Sequence, residues 1–222
     1  VFFVRAVILY IQRRRIRKER NRSNALLLNI LPTEVANELK ATGESEARLY
    51  NNVTVLFTDF VNFTGISEQL SPTELVAEIH KNFTAFDAII EKHGLEKIKT
   101  IGDAYMAAGG ISGSDFHPIN SVKAALEMQE FLNEKFKVIM GEKWQMRCGI
   151  HTGPVTAGVV GKDKFAYDIW GSTVNIASRL ESSGEPGRVN ISSAIYEIIK
   201  DEYPCTHRGK IYAKNVGDID MY

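Results

Sequence analysis

The sequence predicts an α+β domain preceded by a helical segment, and three observations point there. Short apolar strands are interleaved with amphipathic helices, hairpin signals occur beside crossover-length connections, and a basic then leucine-rich leader carries helical spacing. The chain has 222 residues, 44% of them hydrophobic, which suffices for one packed domain with an appendage.

Residues 1–11, Val1-Phe-Phe-Val-Arg-Ala-Val-Ile-Leu-Tyr-Ile11, are apolar except for Arg5. They are fewer than the ~20 residues that cross a bilayer. The basic run Gln12–Arg22 follows directly, so these residues read as the cytoplasmic end of a membrane helix or as an amphipathic helix start. On the first reading the full-length protein is anchored in the cell membrane, with residues 12–48 as helix and linker and residues 49–222 as a cytoplasmic domain. One long helix is expected from Arg13 to about Lys40, with Ala25, Leu27, Leu28, Leu31, Val35 and Leu39 forming a short coiled-coil seam. Pro32 interrupts it, with Thr33 and Glu34 in the first turn of the restarted helix.

Within the domain, Asn52–Thr58 reads as a strand, and Ser71-Pro-Thr-Glu74 is a capping box with proline at the first helical position. The helix it opens carries Leu75, Ile79, Phe83, Phe86 and Ile90 on one face and stops at His93-Gly94. Glu96–Ile101 and the strand after it form a hairpin around Gly102-Asp103, where glycine supplies positive φ. Strict alternation puts Lys99 on the face of Leu95 and Ile101, an odd place for a solvated charge. A helix from Ser121 to Phe136 follows, then two strands, Trp144–Ile150 and Pro154–Val160, around a turn at His151-Thr-Gly153. Further elements are a strand at Lys164–Ile169, a helix at Thr173–Leu180, a short strand at Val189–Ile191, a helix at Ser193–Ile199, and strands from Thr206 to Tyr222.

Charge and cysteine content exclude several classes. Lysine and arginine number 27 against 27 acidic residues, so no global charge points to nucleic acid. The basic run lacks interleaved aromatics and any base-reading module. Two cysteines, Cys148 and Cys205, make neither a disulfide framework nor a zinc site, and a reducing cytosol fits.

Asp59 ends one apolar strand and Asp103 sits at the hairpin turn. Each alone is more often a turn or cap residue. If their strands are neighbours, the two carboxylates meet at one sheet end and suit Mg²⁺ or Mn²⁺ carrying a polyphosphate. The turn through Phe63 and Thr64 offers backbone N–H groups to phosphates. Asn175 and Arg179 share one helix face by their i, i+4 spacing, which a merely solvated face would also explain. Asp168 repeats the puzzle of Lys99, a charge inside a strand.

Four segments in order carry a resemblance. Phe57-Thr-Asp-Phe-Val-Asn-Phe-Thr64, Glu96-Lys-Ile-Lys-Thr-Ile-Gly-Asp-Ala-Tyr-Met106, Arg147-Cys-Gly-Ile-His-Thr-Gly153 and Tyr167–Arg179 resemble the class III nucleotide cyclase catalytic domain, from about Val53 to Tyr222. Leu26–Leu39 resembles the signalling helix that joins such domains to membrane or sensor modules. The resemblance implies a ferredoxin-like βαββαβ core with extra C-terminal elements, and a homodimer with two shared active sites. It also implies two Mg²⁺ or Mn²⁺ ions per site. Asp59 and Asp103 match the metal-binding aspartates, and Lys99 and Asp168 match the pair that contacts the purine. Asn175 matches the ribose-orienting residue and Arg179 the one that stabilises the transition state. Lys214 and Arg147 match phosphate-contacting cations. Asn62 departs from the pattern, replacing a glycine; asparagine tolerates a left-handed backbone better than most residues.

The implied activity is conversion of ATP to 3′,5′-cyclic AMP and pyrophosphate. Asp168 can accept from the adenine amino group and Lys99 can donate to ring N1. A guanylyl cyclase, the first rival, would want the reverse pattern. A catalytically silent dimerisation or nucleotide-sensing module, the second, would be expected to lack a metal or transition-state residue, and every matched position is filled.

Overall fold

The computed structural model describes residues 2–28, 30–112, 115–135, 144–161, 164–213 and 216–222. Two compact units are present: residues 1–47 with 158–167, and residues 48–157 with 168–222. In the first unit, α1 (Phe2–Leu28) is followed by α2 (Thr33–Thr42), so the helix restarts after Pro32 as expected, while its first part begins well before Arg13. Pro32 is the N-cap of α2, and Gly43 closes that helix in the left-handed region, its N–H donating to the Leu39 carbonyl at 2.9 Å. No helix among the described residues is long and apolar enough to cross a membrane.

The second unit is built on β1 (Arg48–Phe60), β2 (Glu96–Ile101), β3 (Ala104–Gly109) and β4 (Met146–Val160) as far as Ala157, in the sheet order β2-β3-β1-β4. With α4 (Pro72–Lys92) and α5 (His117–Lys135) as crossovers this is the βαββαβ core of a ferredoxin-like fold. The added elements are α3 (Phe63–Ser67), β5 (Ala166–Trp170) beyond β4, α6 (Ser172–Ser182), β6 (Val189–Ile191) parallel to β4, α7 (Ser193–Ile199), and the hairpin β7 (Gly209–Ala213) and β8 (Gly217–Met221). The capping box opens α4 as expected, Glu74 N–H donating to Ser71 Oγ at 3.4 Å and Ser71 N–H to Glu74 Oε2 at 2.9 Å.

Alternation along β1 sorts the sheet into two faces. Leu56 and Phe60 pack with residues of α4 and α5, among them Phe86, Ile90, Val122 and Met128. Phe57 and Asp59 point to the other face, opposite Gly149 and Arg147 of β4. That second face receives α6. A Cβ on Gly149 would lie 2.1 Å from the Glu181 nitrogen and 2.3 Å from the Ala177 carbonyl oxygen, so helix backbone rests directly on strand backbone there.

Two strand readings are corrected. β4 is one continuous strand, because His151, Thr152 and Gly153 pair with Val55, Thr54 and Val53 of β1. Gly153 marks a second close approach, a Cβ there falling 2.7 Å from Thr173 Oγ1, and not a turn. In β2 the register to β3 shifts between Lys97 and Lys99. This bulge breaks the alternation. Lys99 therefore shares a face with Ile101 and its partner Met106, while Leu95 packs on the α4 side.

Gly149→Ala should disturb the seating of α6, since no flexible atom stands in the way to yield. A destabilisation of about 1–3 kcal/mol is expected in denaturant melts, larger than for alanine at Gly43, although Gly43 has positive φ, because no atom lies within 4 Å of a Cβ there.

Candidate active site

Four groups gather where β1, β4, the β2–β3 turn and α6 meet. Arg147 stands directly opposite Asp59 in the β1–β4 register, and its Nη2 donates to Asp59 Oδ2 at 2.9 Å. Its Nε donates to Glu181 Oε1 at 3.1 Å. Asp103 lies beside Asp59 and near the Phe60 backbone N–H, which favours its carboxylate. Asp59 and Asp103 are thus together, as their strands' adjacency predicts.

Three carboxylates here face one guanidinium, and burial together with this imbalance makes Asp103 and Glu181 weaker acids. Burial, then the charge of Asp59, pushes Asp103 up to about 6. Burial also dominates at Glu181, with Asp59 adding to it and Arg147 opposing it; the result is about 7. Glu181 is only 7% exposed, so desolvation outweighs its ion pair.

Lys99 and Asp168, 69 residues apart in sequence, are joined by a hydrogen bond of 2.5 Å from Nζ to Oδ2. Asp168 Oδ1 also accepts from the Ile169 N–H at 2.9 Å. Both strand charges that looked misplaced in the sequence satisfy each other. The Gly102 turn that carries Asp103 has φ +63°, the conformation the hairpin requires.

Asn175 and Arg179 line a separate cavity of about 420 Å³ with Ser172, Ile176, Ser178, Ser182 and Val216. Among the described residues its lining includes none of Asp59, Asp103, Lys99 or Asp168. Asn62 takes φ 55° and ψ 31°, so it occupies the left-handed region that its glycine-like position requires, and the chain turns there into Phe63 and Thr64 of α3. Its side chain lies over Gly65, where a Cβ would come within 2.8 Å of Asn62 Oδ1. Lys214 falls outside the described residues.

Sequence reading missed Glu181. The signal was there: it sits four residues after Ala177 on the apolar stripe of α6, where a carboxylate needs a buried partner.

The ferredoxin-like fold carries these clustered charges on the sheet face that receives α6, and comparison with known proteins gives the class. Residues 45–222 match the family described as the adenylate and guanylate cyclase catalytic domain. An adenylate cyclase of Mycobacterium bovis is 39% identical over 201 residues, covering 90% of this chain and 45% of the relative. The receptor-type guanylate cyclase gcy-8 of Caenorhabditis elegans is 41% identical over 202 residues, covering 88% of this chain and 18% of the relative. Among solved structures, the catalytic core of a rhodopsin-guanylyl cyclase with converted specificity, in complex with ATPalphaS, superposes with a TM-score of 0.75. It is 37% identical and covers 80% of this chain and 97% of that one. This chain belongs to the adenylate and guanylate cyclase catalytic-domain family. It spans less than half the length of these curated relatives.

The raised pKa of Asp103 makes the stability of the metal-free protein depend on pH. Its folded value exceeds the ordinary carboxylate value of 3.8, so its contribution favours folding least at neutral pH, where it must ionise. Asp103→Asn should therefore raise the melting temperature at pH 7.5 by about 2–5 °C. That gain should shrink as pH falls through about 6 and vanish below about 4. Melting curves in chelator across that range check both.

Proposed function

We propose that the chain is the catalytic domain of an adenylyl cyclase that converts ATP to 3′,5′-cyclic AMP and pyrophosphate as a homodimer, in intracellular signal transduction. The observation that carries the choice of ATP is the Lys99–Asp168 pair. Adenine offers an acceptor at N1 and a donor at its 6-amino group, so it can take one partner from each side chain. Guanine reverses the pattern, with N1–H and a 6-carbonyl, and would leave both charges badly matched. Relatives with either activity exist, so this pocket chemistry, and not the family, favours ATP.

Asp59 and Asp103 fit a divalent cation. They are hard oxygen donors side by side, in a cluster whose excess negative charge a cation would relieve. Bound there with the triphosphate, Mg²⁺ or Mn²⁺ would lower the pKa of the ribose 3′-hydroxyl and offset charge on the phosphates, two ions per site. The protein's own groups do the rest. Asn175 orients the ribose so that its 3′-oxygen lies in line with the α-phosphorus. The 3′-oxygen gives its proton to solvent water and bonds to that phosphorus as the bond to the pyrophosphate oxygen breaks, pyrophosphate leaving with the electron pair. Arg179 stabilises the charge that grows on the reacting phosphoryl group. Arg147, Lys214 and the backbone of Phe63 and Thr64 hold the leaving pyrophosphate.

The separate cavity of Asn175 and Arg179 supports assembly from two chains: Asp59 and Asp103 of one protomer would meet Lys99, Asp168, Asn175 and Arg179 of its partner. A two-fold dimer then builds two identical sites. α1 and α2 would pair as the signalling helix that carries the input of an upstream membrane or sensor module.

Purified protein assayed with ATP and GTP, in Mg²⁺ and in Mn²⁺, should make cyclic AMP in preference to cyclic GMP. Lys99→Glu with Asp168→Cys should lower kcat/KM for ATP at least tenfold, with any gain toward GTP a secondary effect. Full retention of ATP preference in that double variant rules out the base-pocket assignment.

Mixing Asp103→Ala with Arg179→Ala, each inactive alone, should restore activity. One site of the heterodimer collects both lesions and the other neither, so about half of wild-type activity per heterodimer is expected for independent sites. No recovery, once subunit exchange is demonstrated, removes the shared-site arrangement.

A further inference from the structure

α6 carries side chains in two directions. Asn175 and Arg179 line the 420 Å³ cavity, while Glu181, two residues beyond Arg179, is buried against the sheet. A two-residue step on a helix turns the side chain by ~200°, so neighbours in sequence face different surroundings. Glu181 Oε1 accepts from Arg147 Nε at 3.1 Å, and Arg147 Nη2 donates to Asp59 Oδ2 at 2.9 Å. The path is short and continuous: buried glutamate, guanidinium, aspartate.

We propose that Glu181 is a positioning residue for the half of the active site that contains Asp59 and Asp103, acting through Arg147, and that it does not belong to the half formed by Asn175 and Arg179 on its own helix. The proposal rests on the shared-site reading above. Its physical basis is the fork geometry of arginine. A guanidinium held at Nε by one carboxylate has its remaining N–H groups fixed in direction. With Glu181 in place, Arg147 meets Asp59 at a single oxygen through Nη2. Without it, the guanidinium is free to rotate and close bidentately on Asp59, competing with a cation for both carboxylate oxygens. The contact of α6 with Gly149, two residues along β4 from Arg147 on the same face, fixes the distance over which Glu181 must reach. Groups hydrogen-bonded directly to a metal ligand, as Arg147 is to Asp59, typically carry a 10–100-fold effect on metal affinity or activity, and Glu181 acts through that group.

The test uses two variants of the full chain. Glu181→Met keeps most of the buried volume and removes the acceptor. Glu181→Gln keeps a side-chain oxygen that can accept from Arg147 Nε. Mn²⁺ alone, followed by the free-ion signal in electron paramagnetic resonance, should bind Glu181→Met about tenfold more weakly than wild type. Arg179→Ala should bind it as wild type does, and Glu181→Gln should recover most of the loss. In mixing assays Glu181→Met should complement Arg179→Ala and fail to complement Asp103→Ala, which places its lesion in the aspartate half. Complementation of Asp103→Ala, or unchanged Mn²⁺ affinity in a folded Glu181→Met protein, overturns the proposal. So does a Glu181→Gln variant that binds Mn²⁺ no better than Glu181→Met. If Asp103→Ala and Arg179→Ala do not complement each other, the shared-site reading fails, and the Mn²⁺ affinities alone decide the role of Glu181.

Discussion

The seating of α6 on β4 at Gly149 is the constraint on which the site depends. Glycine is required because helix backbone occupies the space of a side chain, 2.1 Å from where its Cβ would be. A larger residue would lift the helix, and everything the helix carries would move with it. On one side are Asn175 and Arg179; on the other is Glu181 with its hold on Arg147. A single contact thus fixes two sets of polar groups that face different surroundings. Packed interiors transmit such displacements with little give, because few voids exist to absorb them.

The electrostatics of the aspartate cluster follow from the same packing. Burial of Glu181 under α6 removes the solvent that would otherwise screen it, and Arg147 is drawn into a bridge between Glu181 and Asp59. The bridge leaves Asp103 beside Asp59 with its carboxyl pushed up to about 6, by burial first and by its neighbour's charge second. A cluster in this condition is poised to take up positive charge. Its asymmetry matters too: Arg147 engages Asp59, while Asp103 lies near the Phe60 backbone N–H and receives no bond from the guanidinium among the described contacts. The two aspartates look alike in sequence and are not alike in environment.

Much of this was legible in the sequence, and the failures have identifiable physics. The capping box at Ser71, the hairpin glycine at Gly102 and the left-handed Asn62 were readable because each is a local backbone requirement with few residue solutions. Asp59 and Asp103 could be paired on the condition that their strands are neighbours, and the pairing of β1 with β3 meets it. The face of Lys99 was misjudged because a one-residue bulge inverts alternation, and no residue type announces a bulge at Ile98. β4 was cut in two because glycine beside proline reads as a turn, whereas Gly153 is small to admit Thr173. The restart of the helical leader after Pro32 was readable from that proline, while its start was set too late, since α1 begins at Phe2. Glu181 escaped notice because the polar face of α6 drew attention to Asn175 and Arg179, and a buried charge two residues on belongs to no local pattern.

The pairing of Lys99 with Asp168 bears on how a base would be chosen on the proposed reading. The pair is already satisfied, at 2.5 Å, with the aspartate side chain only 14% exposed and the lysine 36%. A base that enters must replace one good charge-assisted hydrogen bond by two others. Adenine can do so, one to each partner. A base that offers the wrong pattern separates the pair without satisfying either member, and the more deeply buried Asp168 bears most of the cost. Discrimination then comes chiefly from the penalty imposed on the wrong base, and less from any gain with the right one. Polar recognition sites achieve their largest selectivities in this way, since an unpaired buried group costs more than a well-made bond returns. The half-exposed lysine tempers the effect, because solvent can reach it when its partner is lost. Asp168 is therefore the stricter of the two residues, and Lys99 the more forgiving.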